Sequence, residues 1–191
     1  SSDVCSSDLI PTSIGNLKEL KIMNLSFNRL SGTIPTTIGD IPNLQMLELF
    51  MNQLSGNLPS EIGNLKDLKK LSLYNNELEG QLPTSLFEIK TLRILLLNSN
   101  KFSGKLDRKI ENLKQLEVFS LFDNNMEGTV PYSLEKLNRL KEMNISYNSF
   151  NGPVSKNLSE LDSLNMTMIN NDGLAVNLQV TDKSSALTNE E

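Results

Sequence analysis

The chain has 191 residues and a formal net charge of −5; 38% of its residues are apolar and 21% are charged. This composition is typical of a folded soluble protein, and the acidic balance disfavours nucleic acid or an anionic membrane as a partner. The sequence contains no histidine and one cysteine, which excludes the commonest general base, the commonest metal ligand and an internal disulfide. We therefore expect no metal site and no cofactor.

The first nine residues fit none of the repeats that follow them. Residues 1–9 contain the triplet Ser-Ser-Asp twice, so we expect a non-repeat leader that is not native to the protein, and Cys5 carries no functional weight. No basic start followed by an apolar segment is visible, so no signal peptide is predicted. The longest apolar run, Ile94–Leu97, is too short to span a bilayer, so no membrane insertion is expected.

An asparagine recurs every 24 residues through most of the chain. The same interval separates the apolar positions around it, beginning with a leucine that opens each unit, such as Leu44 and Leu68. A fixed period of this length indicates a stacked repeat array, because one unit cannot bury its apolar face alone. The asparagines are Asn28, Asn52, Asn76, Asn100, Asn124 and Asn148.

Each unit has the same local pattern. Two apolar positions separated by one residue, such as Leu47 and Leu49, predict a short strand. The asparagine that follows carries both a donor and an acceptor, so it can satisfy backbone groups of a tight turn. A proline such as Pro59 suits a backbone that does not continue the sheet. The outer segment, residues 36–41 in one unit, is too short for a full helix and predicts a 3₁₀ turn.

These motifs resemble the plant-type class of leucine-rich repeat proteins. The sequence LSGTIP at residues 30–35 and LSGNLP at residues 54–59 carry the resemblance together with the 24-residue period. The resemblance implies an α/β-type leucine-rich repeat solenoid, a right-handed curved superhelix with a concave parallel β-sheet and convex 3₁₀ or irregular segments. Residues 10–163 are expected to form a partial first unit and six full units.

The repeat pattern decays near the end of the sequence. We expect residues 164–178 to form a degenerate terminal capping repeat, as stacked arrays need, and residues 179–191 to be a disordered polar tail. In this alignment Thr167 falls in a core column, Asp172 in the asparagine position and Val176 in the glycine position. The apolar columns are continued by Leu164, Ile169, Leu174 and Leu178.

Side chains that alternate with the core columns are predicted to point to the concave surface. Several of them are apolar and form a predicted ligand-binding cluster, because exposed apolar patches usually mark interfaces. The alternative is that these side chains only cover the strand backbone. Phe27 and Tyr147, which precede ladder asparagines, are interpreted as structural. The cluster consists of Met46, Phe50, Met51, Tyr74, Ile94, Leu96, Val118 and Phe122.

Four triplets match the N-glycosylation pattern, at Asn24, Asn144, Asn157 and Asn165. Chance alone produces such triplets in a chain this rich in Asn, Ser and Thr. They are candidate modification sites and do not decide the compartment.

In plants, arrays of this family are often ectodomains of receptor-like kinases or receptor-like proteins, or secreted inhibitors. We predict a non-enzymatic recognition module that binds a protein or peptide ligand through its concave face, on the extracellular side of the plasma membrane or secreted. The period has no insertion that would build a catalytic pocket. The alternatives are a secreted enzyme inhibitor, an intracellular scaffold for a signalling partner, or an array segment with a purely structural role.

Overall fold

The structure is a computed structural model that describes residues 8–161 and 164–175. Each full unit forms one coil with a short strand, a tight turn, a second strand and a short helix. Successive coils stack into the leucine-rich repeat solenoid that the sequence predicts. Most of the predicted leader, the end of the capping repeat and the whole predicted tail lie outside the described residues. Leu9 is described, and it forms a parallel bridge to Ser31.

Within the described residues, seven parallel strands form the sheet that lines the concave face, called the concave sheet below. Neighbouring strands pair in the repeat register, with Leu47 opposite Leu71 and Leu71 opposite Leu95. The middle residue of each strand packs into the core, as the period of two predicts. The strands are β1 (Ile22–Asn24), β3 (Met46–Glu48), β5 (Lys70–Ser72), β7 (Ile94–Leu96), β9 (Val118–Ser120), β11 (Glu142–Asn144) and β13 (Asn165–Thr167).

A second parallel sheet follows the asparagine turns, and the sequence analysis did not predict it. Its strands are rich in Gly, Asn and Glu, which disfavour strands. Stacking of the coils, rather than side-chain preference, brings these backbones into pairing distance; Gly80, for example, lies opposite Phe102. The strands are β2 (Ser31–Gly32), β4 (Gln53–Asn57), β6 (Glu77–Gln81), β8 (Lys101–Lys105), β10 (Asn125–Thr129), β12 (Asn148–Pro153) and β14 (Asn171–Ala175).

The convex side consists of short 3₁₀ helices, as expected. Most begin directly after a proline, whose fixed φ and missing N–H suit the position before a helix. Where Asp107 replaces this proline, its carboxylate accepts a hydrogen bond from the Lys109 N–H and caps the helix. The final convex segment is an α-helical turn, α1 (Lys156–Ser159). The 3₁₀ helices are Thr12–Asn16, Thr36–Asp40, Ser60–Asn64, Thr84–Glu88, Arg108–Asn112 and Tyr132–Lys136.

The core between the sheets and helices is one continuous column of apolar side chains. Leucine and isoleucine dominate it, and most of them are fully buried. Four phenylalanines also lie in it: Phe87, Phe102, Phe119 and Phe150. Burial of these positions in every coil supplies the apolar stabilisation that a single unit lacks.

The asparagines form a ladder of hydrogen bonds between coils. The Asn76 amide donates to the Leu73 carbonyl of its own coil and to the Leu49 carbonyl of the preceding coil, both at 3.0 Å. Its carbonyl accepts from the Leu54 N–H, also at 3.0 Å. The ladder therefore joins each coil to the previous one. Among the described residues, Asn28 in the first coil bonds within its own turn, to Leu25 and Ser26.

The last unit departs from the predicted alignment. Asn171, not Asp172, occupies the ladder, because its amide donates to Ile145 and Met168 and its carbonyl accepts from the Phe150 N–H. The ladder interval is thus 23 residues here. The pairing register of β12 with β14 then shifts by one residue between Asn148 and Asn151. As a result, Leu174 still packs against the core.

Two other assignments in this unit change with the register. Met166 pairs with Met143 and packs on the core. Thr167 and Ile169 were predicted in core columns, but Thr167 is exposed and Ile169 is half-buried. Met168 is buried in place of Ile169. Leu164 packs on the core as predicted, and Val176 and Leu178 lie outside the described residues.

Candidate functional site on the concave sheet

The concave sheet presents three files of side chains across the coils. Residues of one file lie opposite each other on neighbouring strands, so that Ile94 is flanked by Lys70 and Val118. Adjacent strands are about 4.8 Å apart, so long side chains of one file touch those of the next. Every member of the predicted ligand-binding cluster belongs to this face except Met51, which lies in the turn at its edge.

At the N-terminal end of this face the aromatic side chains stack. The Phe50 and Tyr74 rings lie nearly parallel with centroids 4.4 Å apart, and Phe27 meets Phe50 edge-on at 5.2 Å. Such ring pairs add stabilisation beyond their burial. We call Phe27, Phe50 and Tyr74 the aromatic ridge. The sequence pattern indicates a structural role for Phe27, but Phe27 contacts the predicted cluster and the residue is 69% exposed.

The tight turns place one residue of each unit in the left-handed region. Phe27, Met51 and Tyr147 occupy this position, with φ of 56°, 55° and 54°. Most side chains disfavour this conformation, which the surrounding hydrogen bonds of the turn impose. All three side chains are exposed, and Tyr147 meets Phe122 edge-on at 5.3 Å.

An ion pair between a buried carboxylate and a half-buried lysine interrupts the apolar cluster. The Glu48 carboxylate pairs with Lys70 and accepts a 2.8 Å hydrogen bond from the Asn24 amide, and the Glu48 residue is only 7% exposed. Met46 and Ile94 lie on either side of Lys70 in their file. The predicted cluster therefore does not form one continuous apolar surface but has an ion pair between its two halves.

The C-terminal half of the face holds a shallow depression of about 400 Å³. Leu96, Val118 and Phe122 of the predicted cluster form its apolar part. Polar side chains surround them, and one of these is a carboxylate, Glu142. The polar lining residues are Asn98, Ser120, Glu142, Asn144, Asn165 and Thr167.

A charged network borders the same sheet. Arg93 donates to one oxygen of Glu117 through Nε at 2.7 Å and Nη2 at 2.5 Å, and Lys141 donates to the other oxygen at 3.1 Å. The three residues are 24 positions apart, so stacking aligns them. The hydrogen bonds from Arg93 and then Lys141 lower the pKa of Glu117, since they stabilise its ionised form.

This network predicts a pH dependence. Because the folded pKa of Glu117 is lowered, its contribution to stability is full above the ordinary value of 4.5 and is lost as the pH falls through the folded pKa. We expect the difference in urea midpoint between the wild type and Glu117→Gln to be largest at about pH 6 and to shrink by about pH 3. Glu79→Gln on the second sheet is the matched control, since Glu79 makes no ion pair within the described part of the chain. A difference that is constant with pH would contradict this assignment.

The four candidate glycosylation sites differ in their surroundings. The Asn24 amide is bonded to Glu48 on the concave face, and the Asn144 carbonyl accepts from the Ser146 N–H at 3.0 Å. Asn157 lies exposed on the convex α1, and Asn165 lies exposed on the last strand of the concave sheet. A glycan at Asn157 would leave the concave face open.

Sequence reasoning missed the charged groups of this face. The network of Arg93, Glu117 and Lys141 could have been found from their spacing of 24 residues, because side chains at that interval lie next to each other on neighbouring coils. Glu48 and Lys70 are 22 residues apart, so they meet on a diagonal between neighbouring strands.

A stack of leucine-lined coils with a parallel concave sheet and an asparagine ladder defines a repeat solenoid. The chain belongs to the leucine-rich repeat family: residues 49–187 match the family described as leucine-rich repeat region, and residues 19–41 match a single leucine-rich repeat. Comparison with curated proteins finds no match. Within residues 8–161 and 164–175, no helix has the length and apolar character needed to cross a bilayer.

Solved structures of plant receptors share this fold. A plant peptide hormone receptor, RGFR1, in complex with RGF2 is 33% identical, with a TM-score of 0.82 over 84% of this chain and 26% of that one. The ectodomain of the membrane receptor kinase GASSHO1/SCHENGEN3 from Arabidopsis thaliana, in complex with CASPARIAN STRIP INTEGRITY FACTOR 2, is also 33% identical, with a TM-score of 0.82 over 88% and 20%.

A third similar structure holds two kinds of partner. It is the Arabidopsis receptor kinase HAESA with the peptide hormone IDA and the co-receptor SERK1, at 28% identity and a TM-score of 0.67 over 88% of this chain and 32% of that one. The chain thus spans about a fifth to a third of the length of these receptors.

Proposed function

We propose that this chain is a recognition module of a receptor-like leucine-rich repeat protein that binds a protein or peptide ligand through its concave face. The observation that carries the proposal is the half-exposed aromatic and aliphatic surface of the concave sheet, with Phe50 stacked on Tyr74 and Phe122 in the depression. Aromatic side chains are enriched where interfaces are buried. The similar receptors form complexes with peptide hormones and a co-receptor, which supports a peptide or protein as the ligand. One of the similar structures is the ectodomain of a membrane receptor kinase, which supports a location outside the cell.

The proposed action is binding rather than catalysis. The chain has no histidine to act as a general base, and the buried carboxylate of Glu48 is neutralised by Lys70. The side chains of the depression are apolar groups, amides, hydroxyls and one carboxylate, which are the groups that position a peptide.

Replacing the two concave phenylalanines tests the proposal. A phage library of random 12-residue peptides is selected on the immobilised chain, and the enriched peptides are synthesised for affinity measurement. We expect Phe50→Ala combined with Phe122→Ala to weaken their binding by about tenfold or more, since buried aromatic anchors at interfaces commonly contribute 2 kcal/mol or more. The measurement is the dissociation constant from calorimetric titration.

Tyr132→Ala is the matched control, because Tyr132 is an aromatic residue, 59% exposed, on the opposite convex side. Its affinity is expected to stay within about twofold of the wild type. Circular dichroism and melting temperature verify that both variants fold. Selected peptides that bind the double variant as tightly as the wild type would contradict concave binding.

A further inference from the structure

The depression on the C-terminal half of the concave sheet combines an apolar floor with one free carboxylate. Leu96, Val118 and Phe122 form the floor, and Glu142 lies beside Val118 in its file. Glu142 is exposed, and within the described part of the chain its carboxylate makes no ion pair. Among the described residues, no lysine or arginine lines this depression.

The cation next to Glu142 in sequence and the cation in its file are already engaged. Arg93 and Lys141 both donate to Glu117, which is why Lys141, the direct neighbour of Glu142 in sequence, does not neutralise it. Lys70, which shares the file of Glu142, is paired with Glu48. Glu48 is thus the neutralised acid of this face and Glu142 the unneutralised one, so the depression has a net negative charge.

The remaining polar groups suit a peptide backbone. Ser120, Asn144 and Thr167 lie opposite one another on three neighbouring strands. Amides donate and accept, as hydroxyls do, so they can pair with both the N–H and the C=O groups of an extended chain. The apolar floor beside Glu142 suits the aliphatic stem of a long cationic side chain, which packs its methylenes and directs its charge outward.

We propose that this depression binds a peptide through a Lys or Arg side chain whose charge pairs with Glu142 while its methylenes lie on Val118 and Leu96. The inference rests on the proposed function and adds the chemistry of the ligand. Electrostatic complementarity at such a site sets partner choice and accelerates association.

The test uses the peptides selected on the chain. We expect them to be enriched in Lys or Arg, and we expect Glu142→Gln to weaken their binding by about tenfold, the lower end of the effect of close charge pairs at an interface. Glu127→Gln is the matched control, because Glu127 is an exposed carboxylate on the second sheet. Binding by the wild type should weaken with added salt more than binding by Glu142→Gln does.

Two further arms identify the cationic group. Replacing the basic residue of a selected peptide by Glu should abolish binding to the wild type, and Glu142→Lys should restore it. If N-terminal acetylation removes binding instead, the cation is the amino terminus and the proposed side-chain site is wrong.

The outcomes separate this inference from the function it rests on. Peptides that need Phe50 and Phe122 but bind Glu142→Gln as tightly as the wild type would overturn the cation site and leave concave recognition standing. Peptides indifferent to all of these changes, or a selection that enriches no peptide, would overturn both.

Discussion

Replacing Asn76 by alanine is expected to lower the free energy of unfolding by about 1–3 kcal/mol, the cost of leaving buried polar groups unpaired. Asn76 is 9% exposed and lies in the middle of the ladder. Its removal leaves the buried Leu54 N–H without its acceptor. It also takes one of two amide donors from each of the Leu49 and Leu73 carbonyls, which keep Asn52 and Asn100. Since these groups belong to two coils, the change weakens the contact between coils as well as the turn.

Asn28→Ala provides the matched control for this prediction. Asn28 is exposed, and among the described residues it bonds to Leu25 and Ser26 of its own turn. The Leu25 carbonyl keeps the Asn52 amide as a donor when Asn28 is removed. We expect a loss below about 1 kcal/mol there. Urea denaturation followed by circular dichroism measures both variants. Equal losses at the two positions would show that burial of the bridge between coils is not what makes the ladder stabilising.

The ladder also shows why so much of the fold was predictable. An asparagine every 24 residues, with core columns in fixed positions around it, determines which residues of each unit face inward. The second sheet was not predictable in the same way, because Gly80 and its neighbours show no strand pattern. Only the stacking that the ladder enforces brings those backbones together. In the last unit the period changes to 23, and the adjacent Asn170, Asn171 and Asp172 offered several candidates for one position.

The candidate site was predictable only in part. Alternation indicated which side chains face the concave surface, and it indicated Phe50, Tyr74 and Phe122. Side chains of neighbouring coils can meet either along one file or on a diagonal between two files. The sequence therefore did not determine that Glu48 pairs with Lys70. The same holds for Glu142, which makes no ion pair with the described residues because Lys141 turns to Glu117. Ligand binding by any of these residues stays a prediction.

Gly63→Ala is expected to lower the free energy of unfolding by about 1–3 kcal/mol, because it overpacks the contact between two helices. Gly63 is buried in Ser60–Asn64, and a Cβ atom there would lie 2.5 Å from Ser85 Cβ and 2.6 Å from the Ser85 carbonyl oxygen. Ser85 belongs to the next helix, Thr84–Glu88, and a backbone carbonyl cannot turn aside as a flexible side chain would. The two helices must therefore separate.

The neighbouring Asn64→Ala isolates the effect of the added methyl group from that of helix propensity. Asn64 is exposed in the same helix, so we expect a change within about 0.5 kcal/mol. Thermal unfolding should show Gly63→Ala melting several degrees below both the wild type and Asn64→Ala, since 1 kcal/mol corresponds to about 2–4 °C at this chain length. Melting temperatures that coincide would mean that the helices already have room for a Cβ atom. A lower value would instead show that glycine sets the spacing of successive convex helices, and with it the stacking that aligns the files of the concave face.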